Sequence, residues 1–183
     1  MKILQYLFIS LSHKILKLLP YTSIRILSVP IGTLYFLLTF RSSIKLFKRK
    51  EIFNELKINY KPLIVKINYT RYWLETLWLT NKNFSKYISP HVEIENLEYV
   101  EKLKKQYPGL IFALPHLGNW EFAIPIGNSI KLNLLAVAEP LNNSYVLNWF
   151  KSLRESLGIE IIIGGKGQNT FDLLVNKLKS GKD

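Results

Sequence analysis

The sequence predicts an α/β protein in which N-terminal membrane-attaching helices precede a partly complete, mainly parallel sheet flanked by helices. The first observation concerns the second half, where short apolar runs alternate with helical stretches: LIFAL, LLAVA and IEIII. Continuous apolar runs of this length are typical of parallel strands buried on both faces. The second observation is that residues 1–50 contain nine basic residues and no acidic one, among many Leu, Ile and Phe side chains. We therefore divide the chain into an N-terminal segment, residues 1–50, and an α/β domain, residues 51–183.

The N-terminal segment has the pattern of helices that lie in a membrane interface. Apolar residues recur at helical spacing at positions 4, 7, 8, 11, 15, 18 and 19, and Lys2, His13 and Lys17 project from the opposite side. The longest uncharged run, Ile26–Phe40, would extend ~22 Å as a helix, which is shorter than the ~30 Å hydrocarbon core of a bilayer. We predict monotopic attachment. A membrane-spanning helix and an ordinary buried helix pair are the alternatives.

Two further features of this segment bear on its contact with lipid. Pro30 and Gly32 are expected to break the run Ile26–Phe40, because proline removes a helical hydrogen bond and glycine is a poor helix former. A basic cluster then follows, which we expect to face phospholipid headgroups on the cytoplasmic side: Arg41, Lys45, Lys48, Arg49 and Lys50. The alternative for this cluster is a solvated helix face.

Composition excludes several classes of protein and site. An apolar share of 48% argues against disorder, and the absence of cysteine excludes disulfides, Cys-ligated zinc and a thiol nucleophile. The net charge is +12, and the excess is concentrated in the segment of residues 1–50, among leucines and isoleucines. A basic and apolar segment favours anionic lipid as the partner, and with no recognition module present we predict no nucleic acid partner.

The remaining elements follow from local patterns and are predicted in this order: a helical region at residues 51–82, a loop at Thr80–Pro90, a short strand at Val92–Ile94, a charged helix at Leu97–Gln106, strands in LIFAL, LLAVA and IEIII, a helix through Asn148–Leu157 before the last strand, and a final helix at Asn169–Lys179. Gly181 suits the C-terminal cap of that final helix. A further strand is expected after such a helix. We therefore predict that the α/β domain is truncated at its C-terminal end.

The segment LPHLGNWEFA, residues 114–123, places His116 and Glu121 five positions apart. In a continuous helix these residues would point about 140° away from each other. We instead expect a strand at Leu110–Leu114, a turn at Pro115–Gly118 and a helix that begins at Asn119 as its N-cap. Glu121 then lies in the first helical turn, and its carboxylate can reach back toward the imidazole at the carboxyl end of the strand.

A histidine held by a carboxylate is a general base, because the carboxylate fixes the tautomer and stabilises the imidazolium. The chain has no G-x-S-x-G motif and no cysteine, so the activated group is predicted to be a substrate hydroxyl. Backbone N–H groups of the turn would stabilise a tetrahedral oxyanion. This chemistry is direct acyl transfer to an alcohol. The alternative is a histidine bonded at a strand end beside a helix-capping glutamate.

The segment ALPHLGNWEFA closely resembles the catalytic motif of bacterial acyltransferases of the lysophospholipid acyltransferase superfamily, which carry His followed after four residues by Asp or Glu. The branch that it resembles contains the lipid A late acyltransferases and the phosphatidylinositol mannoside acyltransferases. Three other stretches agree in order and spacing: RYWLETLWL, VAEPLN and RESLGIEII. They look nearer to the mannoside enzymes. The basic, apolar N-terminus is also similar to the membrane-attaching helices of this family.

The resemblance implies a role for individual residues. His116 matches the catalytic base and Glu121 its acidic partner. Arg154 matches a basic position that suits anionic groups of the donor or acceptor, with a helix charge paired to a neighbour as the alternative. Lys166, in the loop GGKG, is a candidate contact to phosphate. Glu139 is a candidate for lining the cleft, or a charge at a helix start.

The resemblance also implies the reaction. The enzyme would move a fatty acyl group from acyl-CoA or acyl carrier protein to a sugar hydroxyl of a membrane glycolipid, without a metal or cofactor. Its partners would be membrane lipids, the acyl donor and the glycolipid acceptor, at the cytoplasmic face of the plasma (inner) membrane. Phosphatidylinositol mannoside is the first candidate acceptor and lipid A the alternative. A catalytically inactive peripheral lipid-binding protein is the alternative from another class.

Overall fold

The computed structural model describes residues 1–40, 61–115, 117–165 and 169–182. Contacts divide the chain into two compact units. One unit, here called the α/β unit, comprises Met1–Lys14 and Leu79–Asp183, and the other, the helical unit, comprises Ile15–Trp78. The predicted boundary at residue 50 lies outside the described residues, and it stays a prediction. The basic cluster at residues 41–50 lies outside them as well.

The helical unit is built on two antiparallel helices, α2 at Tyr21–Leu38 and α3 at Pro62–Trp78. Gly32 of α2 lies against the backbone of α3, since a Cβ atom there would stand 2.6 Å from the Cα of Ile67. Only a residue without a side chain permits this approach. The glycine that was expected to weaken α2 therefore allows α2 to pack closely on α3.

The prediction that Pro30 breaks the apolar run is wrong. Helix α2 continues through Pro30, although proline removes one backbone hydrogen bond. Packing of Ile24, Ser28 and Gly32 against the rest of the unit buries one face of the helix on both sides of Pro30 and offsets that loss. Among the described residues, α2 is the one helix that is long and apolar enough to cross a membrane, judged by length and composition alone.

Polar contacts close one end of this helix pair. The hydroxyl of Tyr21 donates to Oε1 of Glu75 at 2.8 Å, and the indole Nε1 of Trp78 donates to the carbonyl of Leu19 at 2.9 Å. Burial, and next the hydrogen bond to Glu75, raises the pKa of Tyr21 to about 12. The buried carboxylate in the RYWLETLWL stretch thus has a partner on α2.

The α/β unit contains a two-stranded parallel sheet, which confirms the α/β class. Strand β1, at Leu135–Ala138, pairs with β2, at Glu160–Ile163, in a register that joins Leu135 to Glu160 and Ala138 to Ile163. These strands are the predicted apolar runs LLAVA and IEIII. They are buried unevenly, since Val137 is exposed whereas Ile161 is buried.

The other helices of the described residues are, in chain order, α1 at Lys2–Leu16, α4 at Leu97–Gln106, α5 at Ala123–Ser129, α6 at Ser144–Leu157 and α7 at Thr170–Lys179. Helices α4, α6 and α7 confirm predicted helices, although α6 begins four residues earlier than predicted. Helix α6 connects the two strands. It starts at the capping side chain of Asn143 and ends at Gly158, whose φ is +102°.

Helix α7 is tied to the start of β2 by charge. Glu160 pairs with Lys177 at 2.7 Å and with Lys182 at 3.0 Å. Hydrogen bonds from these two lysines hold the pKa of the Glu160 carboxyl below its usual value. Gly181 has a φ of +88° just after the helix, as the predicted C-terminal cap requires.

Three predictions about the middle of the chain are wrong. Leu110–Leu114 and Val92–Ile94 form no strand. A strand needs a neighbour that pairs with its backbone groups, and the ladder of the described residues joins only β1 and β2. Ile111, expected in a buried strand, is 84% exposed.

The third wrong prediction is the loop at Thr80–Pro90, which consists of short helical turns at Asn81–Asn83, Phe84–Ile88 and Ser89–His91. The hydroxyl of Thr80 accepts from the N–H of Asn83 at 3.1 Å and so caps the first turn. Phe84 then enters the hydrophobic core of the unit, together with Leu79, Ile124 and Leu157. Burial of an aromatic ring stabilises turns that a run of polar residues would not form alone.

Candidate functional site

From Leu117 onward, the segment of the His116 motif leads into a capped helical turn. The Oδ1 of Asn119 accepts from the backbone N–H of Glu121 at 3.1 Å. A single turn of 3-10 helix at Trp120–Phe122 leads directly into α5. Gly118 precedes this cap with a φ of +63°, a conformation that favours glycine. The N-cap at Asn119 and the position of Glu121 in the first helical turn are confirmed, whereas the predicted turn at Pro115–Gly118 includes His116, which lies outside the described residues, and it stays a prediction.

The carboxylate of Glu121 is buried, and among its partners in the described residues are the side chains of Arg154 and Trp120. The side chain of Glu121 is 2% exposed. Arg154 donates through Nη2 to Oε1 at 2.6 Å and through Nε to Oε2 at 3.1 Å. Trp120 donates through Nε1 to Oε1 at 3.1 Å. The guanidinium therefore donates a hydrogen bond to each carboxylate oxygen, in the bidentate geometry that only arginine supplies.

Arg154 reaches this carboxylate from the next helix along the sequence, α6. Its guanidinium carbon lies 5.6 Å from the centroid of the Phe150 ring, one turn earlier on α6, which favours a cation. The side chain of Arg154 is 24% exposed. The ion pair thus joins two of the stretches on which the resemblance rests, LPHLGNWEFA and RESLGIEII.

The structure brings together two of the five predicted site residues, Glu121 and Arg154. His116 and Lys166 lie outside the described residues. Glu139 directly follows β1 at the carboxyl end of the sheet and is exposed, and no hydrogen bond or ion pair of the structure joins it to Glu121 or Arg154. The catalytic and substrate-binding roles of all five residues stay predictions.

Sequence reasoning missed one contact and left another open. The indole N–H of Trp120 donates to Glu121, and nothing predicted from the sequence gave Trp120 a hydrogen-bonding role. Pairing with a neighbour was kept as an alternative for Arg154, and the partner proves to be 33 residues away. For the hydrogen bond between Trp120 and Glu121, the sequence offered only the fact that the two residues are adjacent. Adjacency does not show whether the indole N–H points toward the carboxylate.

The arrangement is suited to orienting a neighbouring imidazole. A carboxylate that accepts hydrogen bonds from an arginine and an indole is held in one orientation, and a carboxylate in a fixed place can orient a nearby imidazole and stabilise its imidazolium. Among the described ranges, no group of three or more His, Asp or Glu side chains is placed to hold a metal ion. The prediction that no metal or cofactor takes part stays a prediction.

Comparison with known proteins extends over almost the whole chain. A protein-family model described as bacterial lipid A biosynthesis acyltransferase matches residues 1–182. A phosphatidylinositol mannoside acyltransferase of Mycobacterium tuberculosis (strain CDC 1551 / Oshkosh) is 29% identical over 118 residues, which are 63% of this chain and 37% of that protein. The protein of the same name from Mycolicibacterium smegmatis is 27% identical over 119 residues, 63% of this chain and 38% of its own length. The matched part of the chain thus spans less than two fifths of these curated relatives.

Proposed function

Because the chain belongs to the bacterial lipid A biosynthesis acyltransferase family, we propose that it transfers a fatty acyl group from an acyl thioester to a sugar hydroxyl of a membrane glycolipid. The observation that carries this proposal is the buried Glu121 carboxylate, held by Arg154 and placed five residues after His116. The donor is acyl-CoA or acyl carrier protein. The membership itself agrees with the resemblance of the motifs.

In the proposed reaction, His116 takes the proton from the acceptor hydroxyl as the oxygen attacks the thioester carbonyl. The imidazolium that forms is stabilised by the carboxylate of Glu121. A carbon–oxygen bond forms and the carbon–sulfur bond of the tetrahedral intermediate breaks. The departing thiolate takes the proton back from His116. The products are an acylated glycolipid and a free thiol, and no redox step is involved.

The relatives favour one acceptor over the other. The curated proteins compared above are named phosphatidylinositol mannoside acyltransferases, which supports a mannosylated phosphatidylinositol as the acceptor. The family description supports lipid A as the alternative. Both acceptors offer a sugar hydroxyl, so the same dyad serves either one, and residues around the site would decide between them.

The test uses purified protein with labelled palmitoyl-CoA or labelled palmitoyl acyl carrier protein as the donor. We expect the protein to transfer the labelled palmitoyl group to an acceptor lipid. Vesicles would contain phosphatidylinositol mannosides in one series and a lipid A precursor in the other. The expected product is labelled mannoside. If label is found only in the lipid A precursor, the acceptor is a lipid A precursor and not a mannoside. If the protein is folded and bound to the vesicles but neither lipid is labelled, the result contradicts the proposed acyl transfer and favours a protein that only binds lipid.

Helix α1 supports attachment to a membrane because its polar side contacts the protein and its apolar side is exposed. The Nδ2 of Asn143, at the start of α6, donates to the carbonyl of Lys2 and to the side chain of Gln5, each at 2.9 Å. The Tyr6 and Tyr145 rings lie 6.1 Å apart. The polar side of α1 therefore faces α6.

The apolar side of α1 is exposed as a result. Large side chains at helical spacing lie on it, with Phe8 as the most exposed at 71%: Leu4, Leu7, Phe8 and Leu11. Such a surface is unfavourable in water and suits the interface of a bilayer. We propose that α1 rests on the cytoplasmic face of the plasma (inner) membrane, where the acceptor glycolipid is presented.

Replacing Leu4 and Phe8 together by aspartate is expected to weaken binding to vesicles of anionic phospholipid by about 100-fold or more, because burying the two side chains contributes about 3–6 kcal/mol together. Cosedimentation with the vesicles measures this. The matched control replaces Tyr99 and Phe171 by aspartate, since these residues are equally exposed in the same unit and the charge change is identical. Equal loss of binding in both variants would contradict attachment through α1.

A further inference from the structure

Within the described part of the chain, two different elements hold the carboxylate of Glu121. Arg154 belongs to α6, whereas Trp120 belongs to the same 3-10 turn as Glu121 itself. Both donate to Oε1, at 2.6 Å and 3.1 Å respectively. The carboxylate is therefore tied to α6 through the guanidinium and to its own turn through the indole.

The indole bond restricts a motion that the guanidinium bond leaves open. A bidentate ion pair fixes the carboxylate in the plane of the guanidinium, yet both side chains are long and the pair can shift together about their rotatable bonds. An indole is rigid and has two side-chain torsions. Because Asn119 caps the turn at the N–H of Glu121, the indole and the carboxylate share one fixed backbone frame.

We propose that Trp120 is a positioning residue, whose indole N–H holds the Glu121 carboxylate in the place from which it orients His116. This inference rests on the proposed function, since it assigns Trp120 a part in the same dyad. Trp120 acts through Glu121 and touches neither the acyl donor nor the acceptor hydroxyl in this role. Its contribution is to the rate of the chemical step and not to substrate binding.

Replacement of Trp120 by phenylalanine tests this inference, because it retains an aromatic ring and removes the N–H. We expect kcat to fall about tenfold with KM unchanged, the pattern of an interaction that acts only in the transition state. The matched control is Trp78→Phe. It removes an indole N–H whose hydrogen bond, to the carbonyl of Leu19, is of similar length. The control is expected to lose stability and to keep its kcat.

A spectroscopic measurement tests the contact without any activity. With ¹⁵N-labelled tryptophan, the protein has four indole N–H signals, one for each tryptophan. The Trp120 signal is the one that disappears in Trp120→Phe. We expect this signal to shift in Glu121→Gln, where the charged acceptor becomes neutral, while the other three signals stay in place.

The outcomes separate this inference from the proposed function. An unchanged Trp120 signal in Glu121→Gln, or an unchanged kcat in Trp120→Phe, overturns the inference. A rise in KM alone overturns it too, because that result assigns Trp120 to substrate binding. Full activity in His116→Ala overturns the proposed function instead, whatever the Trp120 variant does.

Discussion

Replacement of His116 by alanine is expected to abolish acyl transfer while the protein stays folded and bound to vesicles. A general base contributes roughly 10²–10⁴-fold to the rate of such a reaction. Without it, the acceptor hydroxyl keeps its proton and attacks the thioester poorly. The measurement is transfer of labelled palmitate, with vesicle cosedimentation and thermal unfolding on the same preparation. A variant that binds vesicles like the natural chain but transfers no label would assign the loss to chemistry.

The matched control for this variant is His91→Ala. His91 ends an exposed helical turn and has no place in the proposed site. The control is expected to retain its activity, which would show that loss of a histidine alone does not inactivate the protein. If His116→Ala and His91→Ala transfer acyl groups equally well, the dyad is not the catalytic centre and the lipid-binding alternative gains support.

Local patterns in the sequence were sufficient to predict the backbone conformation at the start of the helix that carries Glu121. Asn119 is a favoured N-cap residue, and Gly118 before it adopts a positive φ, a conformation that favours glycine. Both depend on residues within three positions, so the start of the helix could be predicted. The same holds for β1, whose run LLAVA lies between Asn133 and Glu139, and for β2, whose run IEIII lies between Gly158 and Gly164.

Contacts between distant residues could not be predicted in the same way. The pairing of Arg154 with Glu121 depends on how α6 is placed beside the turn, and no local pattern encodes that placement. LIFAL failed for a related reason, because an apolar run becomes a strand only with a partner alongside. Pro30 was judged by its local cost alone, although burial of the neighbouring face of α2 outweighs that cost.

Replacement of Arg154 by alanine is expected to destabilise the protein and to inactivate it together. Removing one partner of a buried ion pair leaves the other charge unpaired, at a cost of about 3–5 kcal/mol in the free energy of unfolding. Glu121 is 2% exposed, so its carboxylate would lose the guanidinium in a place with little access to water. Urea unfolding measures the loss. The matched control is Lys151→Ala, which removes an exposed pair with Glu155 on the same helix and should cost less than about 1 kcal/mol.

Loss of stability and loss of function can be separated with a second variant. In Arg154→Met combined with Glu121→Gln the buried charge is gone, so stability should recover most of the 3–5 kcal/mol that a broken buried pair costs. Activity should not recover, because a neutral amide cannot stabilise the imidazolium of His116. Recovery of both would mean that the pair only supports the fold. Recovery of stability alone would place the ionised carboxylate in the reaction, with Arg154 as the residue that keeps it in position.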